Sequence, residues 1–136
     1  HVGIRNSMGE PLISLSSGQE CTLYFRALIL QDLPQTNAGV IIRSAKGVDL
    51  FGVTNETMGW EIRDLKEGSL LECYTRIRMW LTNGTYFLTV GISRSPGPQC
   101  ELLYDALTFE VAPTPGIFTT SLVDLCSEFH VAVSKP

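Results

Sequence analysis

Residues 73–81 read CYTRIRMWL. Successive side chains of an extended strand point to opposite sides, so this stretch splits into two faces. Cys73, Thr75, Ile77, Met79 and Leu81 make one face, suited to a core. Tyr74, Arg76, Arg78 and Trp80 make the other, and this is no ordinary solvent face, because two of its four members are aromatic rings.

The same period of two recurs outward from this stretch. In CTLYFRALIL (21–30), Leu23, Phe25, Ala27 and Ile29 share one face while Tyr24 and Arg26 take the other. Further runs lie at 2–6, 38–44, 48–53, 86–93 and 101–111, separated by turn-forming SMGEP, SSGQE, AKG, TNGT and RSPGPQ. The longest connection, 54–69, carries most of the local charge. About eight short strands at roughly ten-residue spacing predict an all-β fold, an immunoglobulin-like antiparallel β-sandwich. The APTPG segment (112–116) reads as a hinge, and the hydrophobic stretch 117–136 as a terminal strand. Such a strand closes its own sandwich or exchanges into a neighbour's.

The chain of 136 residues fits one domain, 1–136, able to bury a core. With 44 % hydrophobic and 18 % charged residues it is globular in composition, and a net charge of −4 gives no basic footprint for nucleic acid. No apolar run approaches the ~20 residues that span a bilayer. The opening HVGIRNS lacks both a signal-peptide pattern and an initiator Met, which predicts a fragment of a longer chain. The four cysteines, Cys21, Cys73, Cys100 and Cys126, form no CxxC pair and read as free thiols of a reducing compartment, with no metal site. The sequons at Asn55 and Asn83 read as turn chemistry.

Catalytic signatures are absent from the sequence. There is no GxSxG, HExxH, GxGxxG or GxxxxGK[ST], and His1 and His130 are the only histidines. The many carboxylates read as solvated surface charge. A non-enzymatic binding module is therefore expected, with no cofactor.

The tight turn Thr82-Asn83-Gly84-Thr85 predicts a hairpin that joins 70–81 to 86–93. In simple register Trp80 then lies near Phe87, Arg78 near Thr89, Arg76 near Gly91 and Tyr74 near Ser93. Rings and guanidinium groups over a glycine floor suit a sugar, whose C–H face stacks on an aromatic ring and whose hydroxyls meet planar donors. Tyr24 and Arg26 share that outward phase, and Trp60-Glu61-Ile62-Arg63 is a second candidate. Cross-strand stabilisation, or cover by the terminal strand or a second subunit, explains the same residues and stays open on these grounds.

Five blocks in order, SSGQECTLYF (16–25), KGVDLFGVTN (46–55), LKEGSLLECYTRI (65–77), LTNGTYFLTVGI (81–92) and YDALTFEV (104–111), resemble the Wzt C-terminal domain family. This is the C-terminal domain of the ATP-binding subunit of O-antigen polysaccharide ABC exporters. The strongest matches are Gly47, Leu50, Phe51, Gly52 and Asn55, then Leu81, Gly84, Tyr86, Leu88, Val90 and Ile92, then Asp105, Phe109 and Val111. The resemblance implies a cytoplasmic domain at the inner-membrane face. It would bind the non-reducing region of the O-antigen polysaccharide and select it for export. It also implies a homodimer, with an exchanged C-terminal strand in some members. Its own N-terminal nucleotide-binding domain and the transporter's membrane subunit would be further partners. The matched residues read as scaffold, with Phe51 and Tyr86 in the core and Asn55 closing a loop. The expected sugar contacts are Tyr74, Arg76, Arg78, Trp80, Phe87, Trp60, Tyr24 and Arg26. The alternative is a dimerisation or protein-interaction module that binds no sugar.

Overall fold

A computed structural model describes residues 1–95, 97, 100–115, 121–123 and 131, with Cys100 described through its backbone alone. The described residues form two β-sheets face to face. The first is antiparallel, in the order β2 (Pro11–Leu12), β1 (Val2–Arg5), β4 (Glu20–Leu28), β8 (Leu70–Arg78). The second runs β3 (Ser14–Ser16), β10 (Cys100–Ala112), β9 (Gly84–Arg94), β5 (Leu33–Ser44), β6 (Asp49–Thr54), and β7 (Ile62–Leu65) also pairs with β5. The expected sandwich is present, with ten strands among the described residues where about eight were expected.

Alternation places the core. Leu23 and Phe25 of β4, Ile42 of β5, Tyr86 and Leu88 of β9, and Phe109 and Val111 of β10 point inward and are almost fully buried. Tyr86 satisfies its buried hydroxyl by donating to the Thr82 carbonyl at 2.8 Å, while its ring stacks on Phe109 with centroids 5.8 Å apart. A tyrosine at a strand entry bonded to backbone just upstream is a recurrent corner of immunoglobulin-like sandwiches.

The hairpin expected around Asn83-Gly84 does not form between 70–81 and 86–93. β8 lies in the four-stranded sheet against β4, and β9 lies in the other sheet between β5 and β10. Met79 and Leu81 are buried where the chain passes between the sheets. The Met79 backbone bonds across to the β3–β4 turn, accepting from Gly18 N–H at 2.8 Å and donating to Gln19 O at 2.9 Å. The turn residues thus serve a sheet-to-sheet crossover, which turn chemistry does not distinguish from a hairpin.

β5 is long enough to pair with two short strands in succession along one side. Its start pairs with β7 (Thr36 opposite Ile62), and its later part with β6 (Gly39 opposite Thr54). Asn55 fills the gap between them. Its Oδ1 accepts the Ala38 N–H at 2.6 Å, its Nδ2 donates to Thr36 O at 3.3 Å, and its own N–H donates to Ala38 O at 3.0 Å. One side-chain amide replaces a missing backbone rung, so β5 keeps backbone groups of Thr36 and Ala38 paired between the two short strands. With its amide so engaged, Asn55 is structural.

The predicted terminal strand lies outside the described residues, apart from 121–123 and 131; His130 and Cys126 lie outside them too. An isolated antiparallel bridge joins Val123 to Leu81, and Thr82 N–H donates to Leu122 O at 3.0 Å.

Candidate functional site

Among the described residues β8 ends the first sheet and β6 the second, so the sandwich is open along this side. There the two sheets enclose a cleft of about 750 Å³, within the range of small-ligand sites. Phe25, Ala38 and Val40 contribute core-side atoms, Phe51 and Val53 come from β6, and Cys73–Ile77 from β8. The connection 55–61 supplies Met58 and Trp60. Phe51, expected in the core, is instead partly exposed at this cleft. Among the described residues its strand is at a sheet edge, with a neighbour on one side only.

Two expected sugar-contact rings meet this cleft. Trp60 is 71 % exposed and Tyr74 54 % exposed, so both present ring faces to solvent. Trp60 is placed by Asn55: its carbonyl accepts from Asn55 Nδ2 at 2.9 Å and its N–H donates to Asn55 O at 2.8 Å. Arg76 lines the same cleft from β8 and has no carboxylate within ion-pair distance among the described residues. Glu61, beside Trp60, is held by the Arg63 guanidinium through bonds of 2.8 and 3.0 Å. Those hydrogen bonds, with the charge behind them, keep the Glu61 carboxyl below its ordinary range.

β4 supplies the rest of the outward face. Tyr24 lies directly opposite Tyr74, with ring centroids 6.4 Å apart and planes at 23°. Arg26 lies opposite Glu72 and forms an ion pair with it. Tyr24 and Arg26 therefore share a sheet with Tyr74. Tyr24, however, is only 4 % exposed, covered by the Arg5 guanidinium 3.7 Å above its ring. It also lies across Gly3, where a Cβ would come within 2.4 Å of the Tyr24 hydroxyl. Tyr24 supports Tyr74 rather than offering a free face.

The remaining expected contacts are elsewhere. Phe87 is on β9, opposite Arg43 and Thr108, in the other sheet. It joins neither Trp80 nor Arg78, because the hairpin that would have paired them is absent. Trp80 is half-buried, its ring packed over the β3–β4 turn at Gly18, where a Cβ would approach it to 2.6 Å. Arg78 is exposed at the end of β8, 3.9 Å from Glu20. Thr22 and Arg5, which sequence reasoning passed over, join the face through register alone.

Cys21 and Cys73 are free thiols on the core side of β4 and β8. Among the described residues no group of three His, Cys, Asp or Glu is placed to hold a metal ion.

The model of the family described as the Wzt C-terminal domain matches residues 1–125. A solved structure described as "Crystal structure of the C-terminal domain of wzt" shares the fold with a TM-score of 0.80 at 22 % identity. That likeness covers 96 % of this chain and 81 % of the other. No curated protein matches the sequence.

Proposed function

Because the chain belongs to the Wzt C-terminal domain family, we propose that it binds the O-antigen polysaccharide without catalysis and confers substrate specificity on an ABC exporter. The observation that carries this reading is the pair of exposed rings, Trp60 and Tyr74, that frame one cleft with Arg76. A pyranose stacked on either ring would find the Arg76 guanidinium as a planar donor. In this reading the chain is the C-terminal part of an ATP-binding subunit, working at the cytoplasmic face of the inner membrane. Its partners are the nucleotide-binding domain before it, the membrane subunit and a second copy. Titration of the domain with the O-antigen of its own source and with foreign ones tests the proposal. Binding of the cognate glycan alone is expected; equal binding of all, or of none, overturns it.

A second reading is a dimerisation or protein-interaction module. One observation favours it: the bridge from Val123 to Leu81 delivers the chain beyond the 112–116 hinge to the end of β8, whose outer edge is unpaired along Leu70–Arg78 among the described residues. A free strand edge accepts another strand. The two readings compete for one edge. Dimerisation that survives removal of the Trp60 and Tyr74 rings, with export intact, would favour the second.

A further inference from the structure

We infer that the polysaccharide passes over β6 and seats an uncharged sugar residue in a second subsite, a glycine-floored trough on the outer face of the second sheet. The inference rests on the polysaccharide-binding reading above and lengthens the stretch of ligand that the chain holds.

Pairing register builds the trough. Thr54 of β6, Gly39 of β5, Gly91 of β9 and Leu102 of β10 stand opposite one another in a single row across four strands. They take the outward face, since their neighbours Ala38, Val40 and Val90 belong to the core. Two adjacent glycines leave bare backbone in mid-row. Asn37 and Ser93 form the next row on one side, and Gly52 and Ile41 the next on the other. These residues, with Thr57, line a cavity of about 310 Å³, at the small end of the range for ligand sites.

Gly52 is a glycine that packing does not demand. A Cβ at Gly39 would meet the Val53 carbonyl oxygen at 2.2 Å, and one at Gly91 would meet the Leu102 Cδ2 at 2.6 Å. At Gly52 the nearest atoms are Ile41 Cγ1 at 3.7 Å and Val40 O at 3.9 Å, and its backbone lies outside the left-handed region. It pairs in register with Ile41, and the irregularity of this ladder falls further along, between Ile42 and Arg43. A glycine inside a strand weakens it; where neither a bulge nor a bend calls for one, close approach of a ligand is the remaining reason.

The lining specifies the chemistry. Asn37 Oδ1 is buried and accepts no hydrogen bond from any described residue. A buried acceptor without a donor is costly, and a sugar hydroxyl is such a donor. Ser93 Oγ is committed only to a long bond of 3.4 Å with the Asn37 carbonyl. Ile41 and Leu102 add apolar surface for the C–H groups of a sugar. No Asp, Glu, Lys, Arg or His lines the trough, so its occupant is uncharged.

Continuity with the cleft fixes the occupant as part of the same polymer. Gly39, Val40, Val53 and Thr54 line both cavities. Thr57 lines the trough, and the next residue, Met58, lines the cleft that holds Trp60. The ridge between them is ordered: Thr57 Oγ1 accepts the Thr54 N–H at 3.0 Å and donates to the Thr54 carbonyl at 2.9 Å. A glycan lying on Trp60 has a path over this turn into the trough.

The test is an NMR titration of the chain with size-fractionated, delipidated O-antigen of its own source, from single repeat units to long fragments, with affinities measured by calorimetry. Long fragments should shift the Gly39, Gly91 and Ser93 amides together with the Trp60 indole N–H, and bind at least roughly ten-fold tighter than single repeats. Asn37→Ala removes the unpaired acceptor, and Gly52→Val fills the trough from a position where a Cβ has room. Each folded variant should lose the shifts at Gly91 and Ser93 and the length advantage, while single repeats still shift Trp60. Shifts confined to Trp60 and Tyr74 at every length would overturn the second subsite and leave the cleft reading intact. Wild-type affinity for long fragments in both variants would overturn it too. Shifts at Gly39, Gly91 and Ser93 on raising protein concentration without glycan would assign this face to a second copy and overturn it. No shift at either place with any fragment would count against both readings.

Discussion

The carbonyl of Trp60 accepts a hydrogen bond from Asn55 Nδ2 at 2.9 Å, and the Oδ1 of the same amide accepts the Ala38 N–H at 2.6 Å. One side chain thus ties the exposed ring at the cleft to the central strand β5. The connection 55–61 bears Trp60 at a defined place because a backbone rung missing from β5 is supplied from that connection.

Asn55→Ala should therefore act at two levels. It leaves the Ala38 N–H and the Thr36 and Trp60 carbonyls without this partner, so stability should fall by about 2 kcal/mol in urea unfolding. In the folded variant, Trp60 should lose its fixed position, seen as sharpened NMR resonances for residues 56–60. Unchanged stability together with an unchanged Trp60 environment would contradict the role given to Asn55.

Gly39 and Gly52 face one another's strands but differ sharply in what surrounds them. A Cβ at Gly39 would come within 2.2 Å of the Val53 carbonyl oxygen, which is backbone and cannot swing aside. At Gly52 the nearest atoms are 3.7 and 3.9 Å away, ordinary contact distances. Gly39→Ala should destabilise by about 3 kcal/mol through forced separation of β5 and β6. Gly52→Ala should change stability by less than about 1 kcal/mol. Thermal unfolding of the two variants checks the contrast.

Burial pushes the Cys21 and Cys73 thiols up from 9.0 to about 11, with the neighbouring Glu20 charge adding to the effect at Cys21. The folded chain keeps these protons at a pH where the unfolded chain has begun to release them. The resulting stabilisation is complete below pH 9.0 and declines as pH rises from there to about 11. At about pH 8 both thiols should react with iodoacetamide on the order of 100-fold more slowly in the folded than in the urea-unfolded chain. Peptide mapping of the alkylated residues resolves the two sites; rapid native labelling of Cys21 would contradict the burial.

Trp80 and Trp60 should separate in mutation. Trp80 packs over the Gly18 turn, so Trp80→Ala should cost about 2 kcal/mol of stability. Trp60 is mostly exposed, and Trp60→Ala should leave stability within about 0.5 kcal/mol. Urea midpoints of the two variants measure the difference.

Much of the fold was legible because alternation reports a half-buried strand directly. The two faces of CYTRIRMWL and CTLYFRALIL are those found in β8 and β4, and Tyr86, Phe109 and Val111 are buried as their phase requires. Strand partners were not legible. Asn83-Gly84 carries the chemistry of a hairpin, yet the chain uses it to change sheets, and that choice depends on distant contacts of Met79 and Leu81. β7 also escaped notice: IRDL is short and charged, and its Asp64 takes φ 52°. The start of β5 was hidden by Pro34, which is tolerated because the β9 ladder begins only at Thr36. For the candidate site, the sequence put Tyr74 and Arg76 on one outward face and offered Trp60 apart from them. Their shared cleft follows from the packing of the β8 edge against β5, β6 and the connection 55–61, which no local pattern encodes.

The central claim, that Trp60 and Tyr74 frame a polysaccharide site, is tested most directly by calorimetric titration of cognate O-antigen into the wild-type chain, Trp60→Ala and Tyr74→Ala. Binding by the wild type is expected, with at least a ten-fold loss (about 1.4 kcal/mol) in each folded variant. Cognate glycan bound with undiminished affinity by both variants would contradict the site.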